Sequence, residues 1–174
     1  EVVRAVLKIL KEIHCKIIVG DGPSVWGYHA ENPDNVYDLT GIKKVCLEED
    51  VELVKFDKRR WHGKFPLTTS LDECDHWINL PKFKTHGLTI LTGALKNLYG
   101  LISGTYKTEL HKNNFVPEDF AKTIVDIYEK AKPSLTIVDG VLALEGDGPA
   151  TAGKIRPTGL LLVGVDCVAL DSIL

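Results

Sequence analysis

Short apolar runs alternate with helical patterns along this chain, and that alternation most constrains its fold. Strand-like runs occupy residues 16–20, 51–56, 77–80, 134–139 and 159–165. Helical patterns occupy residues 2–14, 35–46, 90–103 and 117–132, and Asp166 is a suitable N-cap for a last helix. This alternation is typical of a mostly parallel sheet with helices on both faces. We therefore predict a single α/β domain over residues 1–174.

Composition and charge exclude several classes of protein. The 174 residues are 44% hydrophobic and 26% charged with a net charge of -3, which gives no reason to expect nucleic acid as a partner. No apolar run approaches the roughly 18 residues of a membrane span. The four cysteines form no Cys-x-x-Cys pair, so we expect free thiols and a cytoplasmic location. Met is absent, and the last residues read as the start of a helix, so we expect a fragment or core of a longer protein.

Basic residues are concentrated where a strand is expected to end. The run Trp77, Ile78, Leu80 breaks at Pro81 and leads into Lys82, Lys84, Thr85 and His86. A helix with Thr92, Gly93, Lys96 and Asn97 follows. Ligand sites of open α/β sheets form in the crevice at the carboxyl ends of strands. We therefore expect a small anionic ligand to bind these residues.

Lys96 is predicted on a helix face of small residues, with Gly93 one turn before it and Gly100 one turn after. A bound anion would turn its position near a helix N-terminus from unfavourable to favourable. The alternative is a surface lysine, with glycines that allow close packing. The segment lacks the first glycine and the Ser/Thr of a P-loop, so we do not expect nucleotide hydrolysis.

His86, His111 and Asp139 are candidates for acid–base chemistry. Neighbouring lysines favour a neutral imidazole at His86, and Asp139 ends another strand, where it could orient that ring. His111 lies in a segment predicted as a polar connection that could fold back over the same crevice. Two histidines and a carboxylate would also suffice for a divalent metal, although their spacing does not require one. A structural role for each remains the alternative.

Residues 139–157 are predicted as a long loop, because they contain many glycines and two prolines. Long loops without secondary structure are usually functional or disordered. Glu145 and Asp147 could therefore close over a ligand. The alternative is a solvated surface loop.

Several motifs, taken in order, resemble the prokaryotic family called domain of unknown function 362. They are Ile78-Asn-Leu-Pro-Lys-Phe-Lys-Thr-His86, Thr92-Gly-Ala-Leu-Lys-Asn-Leu-Tyr-Gly100, Glu109-Leu-His-Lys112, Val138-Asp-Gly-Val-Leu-Ala-Leu-Glu-Gly-Asp-Gly-Pro149 and Asp166-Cys-Val-Ala-Leu-Asp171. Many members of that family carry a ferredoxin-type module with two four-iron clusters. The resemblance therefore implies an iron–sulfur partner or region, because this chain has no such module. No cofactor follows from the residues.

A fainter likeness is to the nickel-pincer lactate racemase family. His86 and Lys96 have the ten-residue spacing of a histidine and a lysine in that family, whose further histidines and doubled glycines are missing here. In that family the lysine holds a covalent cofactor and the histidine serves in acid–base work.

Two functional hypotheses follow. In the first, the protein is an enzyme in which Lys84 and Lys96 neutralise an anionic substrate, backbone N–H groups near Thr92 and Gly93 assist, and His86 is the general acid or base. In the second, it is a non-catalytic ligand-sensing module or redox partner of an iron–sulfur protein.

Overall fold

The structure is a computed structural model that describes residues 1–22, 33–102, 105–113, 116–148 and 153–174. Its contacts divide the chain into two compact units. The first contains Glu1–Ser70 and Gly100–Thr108, and the second contains Leu71–Tyr99 and Glu109–Leu174. The prediction that residues 1–174 form a single domain stays a prediction.

The first unit begins with an amphipathic helix and contains two small sheets. Its elements before residue 71 are α1 (Val2–Glu12), β1 (Ile18–Asp21), α2 (Pro33–Leu39), α3 (Ile42–Glu48), β2 (Glu52–Lys55), β3 (Arg59–His62) and β4 (Phe65–Thr68), followed by a 3₁₀ turn at Thr69–Leu71. The predicted helix at 2–14 and the strands at 16–20 and 51–56 are confirmed. The helix predicted at 35–46 is two helices, because Gly41 has a φ of 73° and ends the first.

The second unit contains a five-stranded sheet. The remaining elements of the chain are β5 (Ile78–Asn79), β6 (Lys82–His86), β7 (Ile90–Thr92), α4 (Ala94–Asn97), a 3₁₀ turn (Leu98–Leu101), α5 (Tyr106–Asn113), α6 (Pro117–Lys130), β8 (Leu135–Gly146), β9 (Gly153–Gly164) and α7 (Cys167–Ile173). Strand β8 is central, with β5 and β6 parallel to it on one edge and β9 antiparallel on the other. Strand β7 pairs antiparallel with β6.

The α/β class is confirmed, but the sheets are mixed rather than mostly parallel. Among the described strands, β1–β2, β5–β8 and β6–β8 are parallel pairs. The pairs β3–β4, β6–β7 and β8–β9 are antiparallel. The antiparallel pairs come from hairpins that the sequence reading did not expect.

The segment predicted as a glycine-rich loop is mostly a long hairpin. Strands β8 and β9 pair from Thr136↔Gly164 to Gly146↔Gly153, and residues 149–152 lie outside the described residues. Gly159, with a φ of 62°, lies where the register shifts between Gly140 and Leu142. Here the glycine provides the positive φ that a bulge in the strand requires, and it does not mark a loop.

The core of the second unit joins α4 and α7 to the sheet. Its buried members are Ala94, Val138, Cys167 and Leu170, against which Phe83, Leu95, Tyr128, Leu162 and Leu174 pack. Complete burial of a side chain such as Val138 stabilises the fold by about 1.5 to 3 kcal/mol. Asp166 caps α7, as predicted, by accepting hydrogen bonds from the backbone of Val168 and Ala169.

All four cysteines are free, with Cys46 and Cys167 buried and Cys15 exposed. Within the described ranges, no helix is long and apolar enough to cross a membrane.

Candidate functional site

Strand β6 continues the line of β5 along β8 after an interruption at Leu80 and Pro81. Proline has no N–H to donate, but its carbonyl accepts a 2.8 Å hydrogen bond from the backbone N–H of Asp139. The sheet therefore resumes at Lys82 and runs to His86. The prediction that the strand ends at Pro81, before Lys82, Lys84 and His86, was wrong.

The imidazole of His86 is fixed by the turn that follows it. Its Nδ1 accepts hydrogen bonds from the backbone N–H groups of Leu88 (3.2 Å) and Thr89 (3.4 Å). A backbone N–H can only donate, so Nδ1 carries no proton. The proton of the neutral ring is therefore on Nε2, which makes Nε2 a donor.

Three features of the site lower the pKa of His86 to about 4. Burial is the largest cause, and the ammonium groups of Lys96 and Lys84 add to it. Each of these disfavours the imidazolium. The ring is therefore neutral at pH 7, as the sequence predicted. With Nδ1 occupied and Nε2 protonated, however, it offers a hydrogen-bond donor rather than the lone pair that a base or metal ligand needs.

Lys96 lies over an aromatic cluster formed by Tyr99, His111 and Phe120. Its Nζ is 4.6 Å from the ring centroid of Tyr99 and 5.3 Å from that of Phe120. Each such contact stabilises an ammonium by roughly 0.5 to 2 kcal/mol. Burial raises the pKa of Tyr99, so its phenol is neutral. The ammonium of Lys96 is therefore stabilised by cation–π contacts with this cluster.

His111 lies on helix α5 rather than in a polar connection, which corrects that prediction. Its ring is stacked near that of His86, with centroids 6.3 Å apart and planes 26° apart. It also contacts Tyr99 at 5.3 Å and Phe120 at 4.3 Å. The structure thus brings together His86, Lys84, Lys96 and His111 from the predicted set.

Helix α4, which carries Lys96, has only four residues. The prediction of a helix over residues 90–103 was wrong in its first part, because Ile90–Thr92 form strand β7, and Ser103 lies outside the described residues. The carboxylate of Asp171 accepts hydrogen bonds from the N–H groups of Ala94 (2.6 Å) and Leu95 (2.9 Å). The helix start, where backbone N–H groups were expected to bind a ligand, is thus filled by the protein itself.

Thr92, Gly93 and Asn97 have structural surroundings. Thr92 is buried and pairs with Lys84 in the β6–β7 ladder. A Cβ on Gly93 would collide with the carboxylate of Asp171, so glycine is needed for that approach. Asn97 donates to Oδ1 of Asn79 at 2.8 Å, and Asn79 donates to the carbonyl of Ala94 at 2.9 Å.

The remaining predicted residues pair elsewhere. Lys82 donates to Oδ2 of Asp139 at 2.9 Å, and Oδ1 of Asp139 accepts from the N–H of Val141. Among the described residues, Asp139 makes no hydrogen bond to His86, so the predicted orienting role is not what the geometry shows. The reason is register, because Asp139 pairs with Lys82, at the opposite end of β6.

Glu145 lies on a strand rather than in the predicted loop, whereas Asp147 lies in the connection that follows β8. Glu145 is on β8 and accepts a 2.6 Å hydrogen bond from Arg156 across the hairpin. Asp147 is exposed. The hydroxyl of Thr85, another predicted residue, donates to the carbonyl of Leu144 at 3.5 Å. In the part of the chain that the structure describes, no three His, Cys, Asp or Glu side chains are grouped to hold a metal ion.

Sequence reasoning missed Tyr99, Phe120, Asp171 and Asn79. An amide inside the otherwise apolar run Ile78–Leu80 is a signal that would have found Asn79, which is 3% exposed. Phe120 reads only as core from sequence. Asp171 lies 77 residues from Ala94, and no local pattern links the two.

The fold and site define an α/β protein with a cationic, partly aromatic site beside a neutral histidine. The sequence profile of the family described as Domain of unknown function (DUF362) matches residues 1–174, so the chain belongs to this family. It is 30% identical over 181 residues to "Thylakoid-associated protein sll1697" of Synechocystis sp.. That alignment covers 100% of this chain and 54% of the relative, so the chain spans about half of the relative's length. No solved structure matches the chain.

Proposed function

We propose that the second unit binds a small organic or inorganic anion, a carboxylate or a phosphate, beside His86. The observation that carries the proposal is geometric: Nζ of Lys96 lies over the ring of Phe120, which contacts His111, and the ring of His111 is stacked near that of His86. The ammonium groups of Lys96 and Lys84 both lower the pKa of this half-buried imidazole. Both charges that shift the pKa of His86 are positive, and a positive potential in a half-buried place favours a negative guest.

Each group would have its own part in binding. The ammonium groups of Lys84 and Lys96 would offset the charge of the ligand. The Nε2–H of His86 would donate to one of its oxygen atoms. A hydrogen bond to a charged group contributes about 1.5 to 3 kcal/mol, or roughly 10-fold to 150-fold in affinity.

As an enzyme, the protein would use His86 to polarise an oxygen atom of the substrate rather than to remove a proton. A neutral imidazole that donates from Nε2 stabilises negative charge as it develops on a carbonyl oxygen. This revises the general acid or base role that the sequence suggested for His86.

The second candidate is a non-catalytic ligand-sensing module or redox partner of an iron–sulfur protein. The occupied Nδ1 of His86 favours it, because the site then binds an anion without a base beside it. Native mass spectrometry of protein purified without oxygen separates the two candidates. A retained anion that is turned over supports the enzyme, and one that is released unchanged supports the module.

Calorimetric titration with phosphate and with malonate at pH 7 and low salt tests the binding itself. Lys84→Met and Lys96→Met should each weaken the wild-type affinity by about tenfold or more. Lys132→Met is the matched control, because Nζ of Lys132 also lies over a ring, 5.5 Å from that of Tyr128. Binding that is absent in the wild type, or equal in Lys96→Met and Lys132→Met, would contradict the proposal.

A further inference from the structure

Asp171 is the side chain that fixes the start of the helix on which Lys96 lies. It belongs to α7, yet its two carboxylate oxygens accept from the first two backbone N–H groups of α4, those of Ala94 (2.6 Å) and Leu95 (2.9 Å). A carboxylate at this end of a helix satisfies N–H groups that have no partner within the helix.

A helix of four residues has almost no stability of its own, because helix nucleation is unfavourable. Helix α4 therefore depends on hydrogen bonds from other elements to its first residue, Ala94. Asp171 holds the N–H of Ala94, and the amide of Asn79 holds its carbonyl at 2.9 Å. The backbone from which Lys96 projects is thus placed by two side chains from other elements.

The surroundings of Asp171 are built for this contact. At Gly93, any Cβ would collide with Oδ1 and Cγ of Asp171, so the glycine allows the carboxylate to approach. Leu170, next to Asp171, and Leu174, three residues after it, belong with Ala94 and Leu95 to one apolar cluster. Burial raises the pKa of Asp171, and the hydrogen bonds from Leu95 and Ala94 oppose that rise.

We propose that Asp171 is a positioning residue that places the ammonium group of Lys96 beside His86 and thereby sets the affinity of the site for its anion. The part on affinity rests on the proposed function, whereas the part on Lys96 does not. Asp171 does not touch the ligand in this account. It acts through helix α4.

The alternative is that Asp171 is only a helix cap that stabilises the fold, which is the role of Asp166 at α7. Asp166 accepts from the N–H groups of Val168 (2.8 Å) and Ala169 (3.1 Å) of its own helix, and among the described residues its side chain makes no hydrogen bond to α4. The pKa of His86 separates the two roles, because the ammonium of Lys96 lowers that pKa. Loss of stability alone would leave this pKa unchanged in the folded protein.

The experiment compares Asp171→Asn with Asp166→Asn. The amide keeps the shape of the carboxylate but replaces one acceptor by a donor, so one N–H of α4 loses its partner. Asp171→Asn should raise the pKa of His86, followed by heteronuclear NMR of its ring nitrogens, by roughly half a unit or more. It should also weaken phosphate binding about threefold or more, which the same shift implies. Asp166→Asn should change neither quantity.

Gly93→Ala supplies a second variant should Asp171→Asn fail to fold. Its methyl group would displace the carboxylate, so it should shift the pKa of His86 in the same direction. Asp166→Asn is the control for this variant as well, because Asp166 caps α7 rather than α4. In the background of Lys96→Met, neither Asp171→Asn nor Gly93→Ala should shift the pKa further.

An unchanged pKa of His86 in folded Asp171→Asn or Gly93→Ala would overturn the proposal. So would an equal shift in the presence and absence of Lys96. Failure of the wild type to bind either phosphate or malonate would instead contradict the proposed function, and the pKa comparison would still decide the role of Asp171.

Discussion

The two ends of strand β6 carry similar basic side chains in different surroundings. At the first end, the side chain of Lys82 is 46% exposed and its ammonium lies 2.9 Å from the carboxylate of Asp139. Toward the other end, which is His86, the central residue Lys84 acts with Lys96 on the half-buried ring of His86 and lowers its pKa. An exposed lysine paired with a carboxylate contributes little to stability, and the carboxylate offsets its charge. The cations around His86 create a field that a ligand could use.

The largest expected effect is a dependence of stability on pH that comes from His86. Between pH 6.5 and about 4 the unfolded chain binds a proton at His86 and the folded protein does not, so the free energy of unfolding falls as the pH falls. A pKa lowered from 6.5 to about 4 corresponds to a fall of up to about 3 kcal/mol. Below about pH 4 both states are protonated and this contribution stays constant.

Urea unfolding of the wild type and His86→Gln across pH 4 to 7 measures this effect. The difference in unfolding free energy between the two proteins should shrink, or change sign, as the pH falls through this window. His76→Gln, at an exposed histidine, should follow the wild type. A pH-independent difference between the wild type and His86→Gln would refute a neutral, half-buried His86.

The second largest effect is expected on the pKa of His86 when the two lysines that act on it are removed. The double variant Lys84→Met/Lys96→Met should raise the pKa of His86 by on the order of one unit, with burial responsible for the rest of the shift. The pKa is read from the ring nitrogens by NMR. The double variant Lys122→Met/Lys132→Met removes two exposed lysines and should leave it unchanged. Equal pKa values in the two double variants would remove the lysines from the account of His86.

The smallest effect is expected at the Lys82–Asp139 pair. Lys82→Met and Asp139→Asn should each change the free energy of unfolding by less than about 1 kcal/mol, because the side chain of Lys82 is 46% exposed and solvent screens the pair. Neither should alter the pKa of His86. Thermal unfolding and the same NMR titration check both statements. A shift from Lys82→Met as large as that from Lys96→Met would erase the distinction between the two ends.

Local patterns predicted much of the fold. The amphipathic face of α1, the apolar runs of β1 and β2 and the cap at Asp166 each depend on neighbours in sequence, and each was found. The hairpin of β8 and β9 was missed, because the glycines of residues 139–157 suggested a loop and only pairing between distant residues showed otherwise. Pro81 suggested the end of a strand, whereas β8 continues past it and pairs with β6.

The site was predictable in its charges but not in its geometry. Lysines and a histidine within 15 residues point to an anion from sequence alone. The state of His86 depends on the turn at Leu88 and Thr89, and the place of Lys96 depends on Asp171, 75 residues further along. Asp139, the partner that residue type predicts for His86, is paired by register with Lys82 instead.

The most direct measurement is an NMR titration of His86 in the wild type, with and without phosphate or malonate. We predict a neutral ring with the proton on Nε2 at pH 7, a pKa of about 4 without anion, and a saturable rise in that pKa when either anion is added. The rise follows because a bound negative charge favours the imidazolium. A ring protonated at Nδ1, or a pKa that neither anion moves, would contradict this prediction.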